Sequence, residues 1–195
     1  MTLSLRERRR QTTARDIQKA TLELALQQGL ENVTTEEIAA AAGISTRTFF
    51  NYYTNKEAAA IGAPPDFREE DMEALRKGTS SLAADIKRFL DRHMEILAGD
   101  EAILRMVGKV LRSNEKARGI LQGILIMKRG ELTECLHSRV NNHQTAASLA
   151  YNAMDAIGRT IYLWEHEKEL SLDAALDIVW ESMITAAQLL VSSSD

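Results

Sequence analysis

Proline is almost absent. Pro64 and Pro65 stand side by side, and no other proline occurs in 195 residues. Proline breaks helices, so long stretches on either side of this pair are free to be helical. β-branched runs that would favour strands are few. Cysteine occurs once, at Cys135, which excludes an internal disulfide and fits a reducing cytoplasm. No apolar run approaches about 18 residues, so no membrane span is expected. The N-terminus is charged and does not read as a secretory signal. A glycine-rich phosphate loop and a G-x-S-x-G elbow are both missing. The histidines, His93, His137, His143 and His166, lack the paired spacing of a zinc site, and Cys135-x-His137 offers only two ligands. No catalytic set, metal or cofactor is expected.

What is present is the composition of a soluble globular protein, 45% hydrophobic and 27% charged, in an all-α fold. The net charge of −4 argues at first against nucleic acid. Its distribution argues the other way: residues 1–19 carry Arg6, Arg8, Arg9, Arg10, Arg15 and Lys19 against Glu7 and Asp16, a net +4. Arg6, Arg8, Arg9 and Arg10 read as a mobile arm over residues 1–12 that touches DNA backbone or the minor groove, or as a solvated tail.

The stretch from Thr34 to Lys56 organises the rest. Thr34 and Glu37 have capping-box spacing, so a helix starts there. Ile38, Ala41 and Ala42 share one face, and the alanine run favours helix. Gly43 supplies a left-handed turn. Ser45 caps a second, short helix over residues 46–52, and Asn55 caps a third that opens at Lys56. A helix, a glycine turn and a short polar helix make a helix-turn-helix over about 34–53. The first turn of its second helix, Thr46, Arg47 and Thr48, is placed to meet base edges. Phe49 and Tyr53 point inward.

The run Gly43-Ile-Ser-Thr-Arg-Thr-Phe-Phe-Asn-Tyr-Tyr-Thr-Asn-Lys56 resembles the DNA-binding signature of the TetR family of transcriptional regulators. The preceding Thr34-Thr-Glu-Glu-Ile-Ala39 and the Gly29 turn agree with it, over roughly residues 10–60. Phe50 stands where that family often has a phosphate-touching tyrosine, and Tyr52 where histidine is frequent. The resemblance implies DNA contacts from Thr34, Thr35, Ser45, Thr46, Arg47, Thr48, Asn51, Tyr52 and Lys56. Lys56, beside free N–H groups at a helix start, is expected to hold phosphate.

The Gly62-Ala-Pro-Pro65 break divides the chain into a DNA-binding domain, 1–62, and a ligand-binding and dimerisation domain, 63–195. Helices are expected at about 13–28, 66–77, 82–97, 101–111, 115–140, 143–168 and 172–191. The last is apolar on two sides: one stripe of Leu172, Leu176, Val179, Met183, Ala186 and Leu190, and a second through Ile178, Ile184 and Val191. One side can meet the chain itself and the other a second copy. Small residues at Ala150 and Gly158 permit close approach of the preceding helix. A homodimer through Ala150, Met154, Gly158, Leu176, Val179, Met183 and Leu190 is expected, as the resemblance also implies.

The middle helices are expected to enclose a cavity for a small, apolar effector. His93, Met94, Leu97, Met106, Met127, Asn152 and Trp164 are its candidate lining; methionines at helical spacing are equally consistent with core. These features point to a ligand-responsive, dimeric DNA-binding repressor. Two alternatives stay open: an activator with the same DNA contacts, and a helical small-molecule-binding protein that no longer reads DNA.

Overall fold

The computed structural model describes residues 4–78 and 80–192. Among them are ten α-helices, a short 3-10 turn and no strand, the all-α class expected. In chain order the helices are α1 (Leu5–Gln28), α2 (Thr35–Ala41), α3 (Thr46–Phe50), α4 (Lys56–Ile61), α5 (Glu69–Lys77), α6 (Leu82–Ala98), α7 (Glu101–Ser113), α8 (Glu115–Val140), α9 (His143–His166) and α10 (Leu172–Ser192). Two compact units result. One holds residues up to Pro64 together with Glu101–Ile124, and the other holds Pro65–Asp100 with the chain from Leu125 onward. α7 and the start of α8, on the far side of the break at residues 62–65, belong to the first unit.

The first correction concerns the N-terminal arm. Residues from Leu5 onward are helical, and Arg6, Arg8, Arg9 and Arg10 lie exposed on α1. The cause is local. Ser4 Oγ accepts from the Glu7 N–H, and the Glu7 carboxylate accepts in return from the Ser4 N–H at 2.8 Å, a capping box that adds two turns before residue 13. The two hydrogen bonds from Ser4 hold the Glu7 carboxyl below its usual range.

In the first unit, α1 is the brace. Ile17 buries its side chain among Val33, Ile38, Ala39, Phe49 and Ala59. Leu22, Ala25 and Leu30 meet Ala60, Ile61, Val110 and Ala117. Gln18 Nε2 donates to the carbonyls of Ala60 and Ile61 at 3.3 and 2.9 Å, so a side chain of α1 satisfies the end of α4. The Tyr53 hydroxyl donates to the Ala14 carbonyl at 3.1 Å. α1 thus holds both ends of the segment from α2 to α4.

In the second unit, α6 is buried along Ile86, Phe89, Leu90, His93 and Met94. It packs on α5, α9 and α10. Asp85, 3% exposed, is held by Arg139 at 3.0 Å and by the Ser80 hydroxyl at 2.9 Å. Cys135 is buried, and its thiol donates to the Met72 carbonyl at 3.3 Å.

α10 requires one correction, to its dimer stripe. Over Leu172–Val191 it is long and apolar enough, by length and composition alone, to cross a membrane, with 17% of the relevant window buried within the chain. Asp177 and Glu181 interrupt its apolar run. Its stripe is also divided. Leu172, Leu176 and Val179 are buried within the chain, whereas Ile178, Leu189, Leu190 and Val191 are exposed. On α9, Ala150 and Met154 are likewise buried, while Tyr151, Gly158 and Tyr162 face outward. Ala150, Met154, Leu176 and Val179 are therefore not available to a second chain; Gly158 and Leu190 are exposed and Met183 is half-buried.

Candidate nucleic-acid interface

The helix-turn-helix forms from short-range signals. Thr34 caps α2: its hydroxyl accepts from the Glu37 N–H at 3.2 Å, and the Glu37 carboxylate accepts from the Thr34 N–H at 2.7 Å. Those Thr34 bonds hold the Glu37 carboxyl low. Gly43 leaves the helix at φ 68°, a conformation that costs glycine nothing and other residues a Cβ clash. Ser45 then caps α3 by accepting from the Thr48 N–H at 3.1 Å, and its hydroxyl meets that of Thr48 at 2.8 Å.

α3 has five residues, and one of them fixes its orientation. Phe49 is fully buried, edge-on to Phe50 at 5.3 Å and tilted against Tyr53 at 6.3 Å. With Phe49 inward, Arg47 and Phe50 are exposed and Thr46 and Thr48 half-exposed. Ser45 and Arg47 are thus open to solvent at the start of α3, and Asn51 at its end. Thr34 and Thr35 open the preceding helix, and they line a broad hollow of about 410 Å³ with Phe50, Asn55 and Lys56. Arg10 reaches the same region, its guanidinium 5.3 Å from the centre of the Tyr52 ring. α1 therefore brings Arg10 beside the residues that follow α3.

Lys56 is placed differently from its expected role. Its ammonium donates to the carbonyls of Glu31 at 2.7 Å and Val33 at 2.8 Å. These carbonyls belong to the 3-10 turn and the residue after it, a short element absent from the sequence reading. Two of the three ammonium donors are thereby used inside the protein, and Lys56 ties α4 to the entry of α2. Lys56→Ala is expected to cost about 1–2 kcal/mol of stability through loss of charge-assisted hydrogen bonds, read as a shifted denaturation midpoint. A midpoint equal to the unaltered chain's would show that these bonds contribute nothing net.

The candidate effector residues do not gather in one place. His93 and Met94 are buried on α6, Leu97 is half-buried one turn on, and Trp164 is 1% exposed on α9. Met106 packs in the core of the other unit, against the cluster of Leu22 and Val110. Met127 and Asn152 are exposed and line no interior. A hollow in the second unit, between Asp71, Leu75, Asp85 and Phe89, holds only about 10 Å³, no more than one water. No group of three or more His, Cys, Asp or Glu side chains among the described residues is arranged to hold a metal ion.

Comparison with known proteins agrees with this geometry. Residues 17–59 match the model of the family described as bacterial regulatory proteins, tetR family. The chain is 28% identical over 145 residues to the HTH-type transcriptional regulator TcmR of Streptomyces glaucescens, a match covering 65% of this chain and 64%, just under two thirds, of that relative. A TetR-family transcriptional regulator structure from Syntrophomonas wolfei has the same fold, with a TM-score of 0.64 at 18% identity over 90% of this chain and 95% of that one. The structure of the regulator FadR from Bacillus subtilis, in complex with stearoyl-CoA, has a TM-score of 0.51 at 26% identity and covers 85% of this chain and 95% of that one.

Proposed function

We propose, given that this chain belongs to the TetR family of transcriptional regulators, that it is a cytoplasmic repressor that binds a palindromic operator as a dimer and is released by a small, apolar-bodied effector. The observation that carries the reading is the presentation of α3: Phe49 is fully buried, and Arg47 in the first turn is exposed. A helix held by one aromatic anchor offers the opposite face to a major groove.

In this reading Arg47 pairs with a base edge, guanine being the best partner. Thr34, Thr35, Ser45, Asn51 and Tyr52, with the α1 arginines, contact phosphate and set the register. Thr48 is committed partly to Ser45, and its methyl is free for a thymine. Lys56 adds a phosphate contact only through its third donor. The exposed faces of α9 and α10 join two copies, and that pairing covers the apolar length of α10 that would otherwise suit a membrane. An effector acts by preferring an arrangement of the dimer in which the two α3 helices no longer match grooves about 34–36 Å apart. A Bacillus relative holding an acyl-CoA makes a partly apolar effector reasonable.

Arg47→Ala is expected to weaken operator binding by about 1–3 kcal/mol and to relax the preference at one base pair in each half-site. Binding-site selection with both proteins reads this out. An unchanged preference would remove Arg47 from base recognition. Gel shifts on the DNA upstream of the chain's own gene test the reading as a whole; no specific shift there or on any selected sequence would sink it.

A further inference from the structure

The coil between α4 and α5 covers two buried polar side chains that DNA binding does not use. Lys128 of α8 is 6% exposed. Its ammonium pairs at 2.6 Å with Asp66, whose own side chain is 96% exposed. This ion pair is lopsided: the cation is buried while the anion sits in water. The same ammonium stands 5.4 Å from the centre of the Phe67 ring. Phe67 packs against Phe89 at 5.0 Å and edge-on against His93 at 5.2 Å. His93 is 7% exposed, and its Nδ1 is buried without a hydrogen-bond partner.

We propose that Asp66 and Phe67 are an internal plug in a ligand site, and that the ligand is an organic acid with an aromatic or flat apolar group near its carboxylate. This deepens, and rests on, the reading of the chain as an effector-responsive regulator. The ligand carboxylate takes the place of Asp66 on Lys128. Its ring takes the place of Phe67 against Phe89 and His93. Nδ1 of His93 then gains the partner it lacks, from the second carboxylate oxygen or a ring substituent.

Three features make the plug displaceable. It lies on a coil, and Pro64 and Pro65 within that coil have no N–H to anchor it. Asp66 is fully in water, where an ion pair is weak for the partner that remains solvated. Lys128 stays buried when the plug leaves and therefore demands a replacement anion. His93 is suited to the exchange because burial, and then the Lys128 charge, lower its pKa to about 4. The neutral ring can donate through one nitrogen and accept through the other. The coil follows α4 directly in the chain, so its displacement is covalently linked to the DNA-binding segment.

Calorimetric titration of the full chain with 3-phenylpropionate, with 3-phenylpropan-1-ol as the uncharged control, tests the site without DNA. Phe67→Ala and Asp66→Asn, which weaken the plug, are expected to bind the acid at least tenfold more tightly than the unaltered chain. The acid is expected to bind these variants at least tenfold more tightly than the alcohol does. Adding Lys128→Met to Phe67→Ala should erase the preference for acid over alcohol, and Lys128→Arg should keep it. The Arg variant and the acid-to-alcohol ratio decide the matter even if the Met variant fails to fold. Equal binding of acid and alcohol, or no gain of acid binding in both plug variants, overturns the proposal. Gel shifts on the unaltered chain separate the two readings: a specific shift without acid binding sinks only this site, and acid binding without any shift sinks the regulator instead.

Discussion

Replacing Ile178 with glutamate is expected to turn the proposed dimer into monomers while leaving the helices folded. Ile178 is 51% exposed on α10, on the same stripe as Leu189 at 65% about three turns further on, and the outward face of α9 presents Tyr151 and Tyr162. The turns that separate Tyr151, Gly158 and Tyr162 place all three on one stripe. A two-fold interface uses each residue twice, so a single substitution buries two unpaired charges, each costing several kcal/mol. Light scattering at micromolar concentration should give the mass of one chain, and operator affinity should fall by at least a hundredfold as two half-sites become one. Val179→Glu is the informative contrast. Val179 is 4% exposed within the chain, so its substitution should unfold the second unit instead of parting two copies. A dimer that survives Ile178→Glu would place the interface elsewhere.

Phe49→Ala carries the largest expected loss of stability, about 3–5 kcal/mol, by transfer cost and the cavity left behind. Domains are stable by only about 5–15 kcal/mol. The cavity opens among Ile17, Val33, Ile38, Ala39 and Ala59. A denaturant titration should show the midpoint falling, with specific operator binding lost at temperatures where circular dichroism still reports helix. A loss below about 1 kcal/mol would mean that the core collapses onto the site, and that Phe49 does not alone orient α3.

The parts of this fold that were legible in the sequence are those decided within a few residues. Thr34 with Glu37, Ser45, Gly43 and Asn55 each set a cap or turn through their own side chain or backbone, and each is found doing so. Ser4 and Glu7 have the same spacing and form the same box, although the arginines between and after them read as a solvated arm. Lys56 shows the opposite failure. Its carbonyl partners lie 23 and 25 residues earlier, beyond anything that local pattern reveals. For α10, the two-sided apolar pattern was readable, but periodicity does not say which stripe meets its own chain. Leu176 and Val179 face inward because α6 and α9 pack there, a fact of topology. The candidate effector residues are scattered for the same reason: helical spacing places side chains on a face and does not place that face beside another.

Cys135 has a practical consequence. It is 2% exposed, its thiol is bonded to a carbonyl, and burial pushes its pKa up, so very little reactive thiolate exists at neutral pH. The chain carries no other cysteine. A cysteine introduced at an outward position such as Arg9 or Asn51 would be the single site to react with a maleimide or a nitroxide reagent, with the native thiol left in place. Two copies so labelled would form a spectroscopic ruler across the proposed dimer, and the distance between the two α3 helices could be followed in solution as DNA or an organic acid is added.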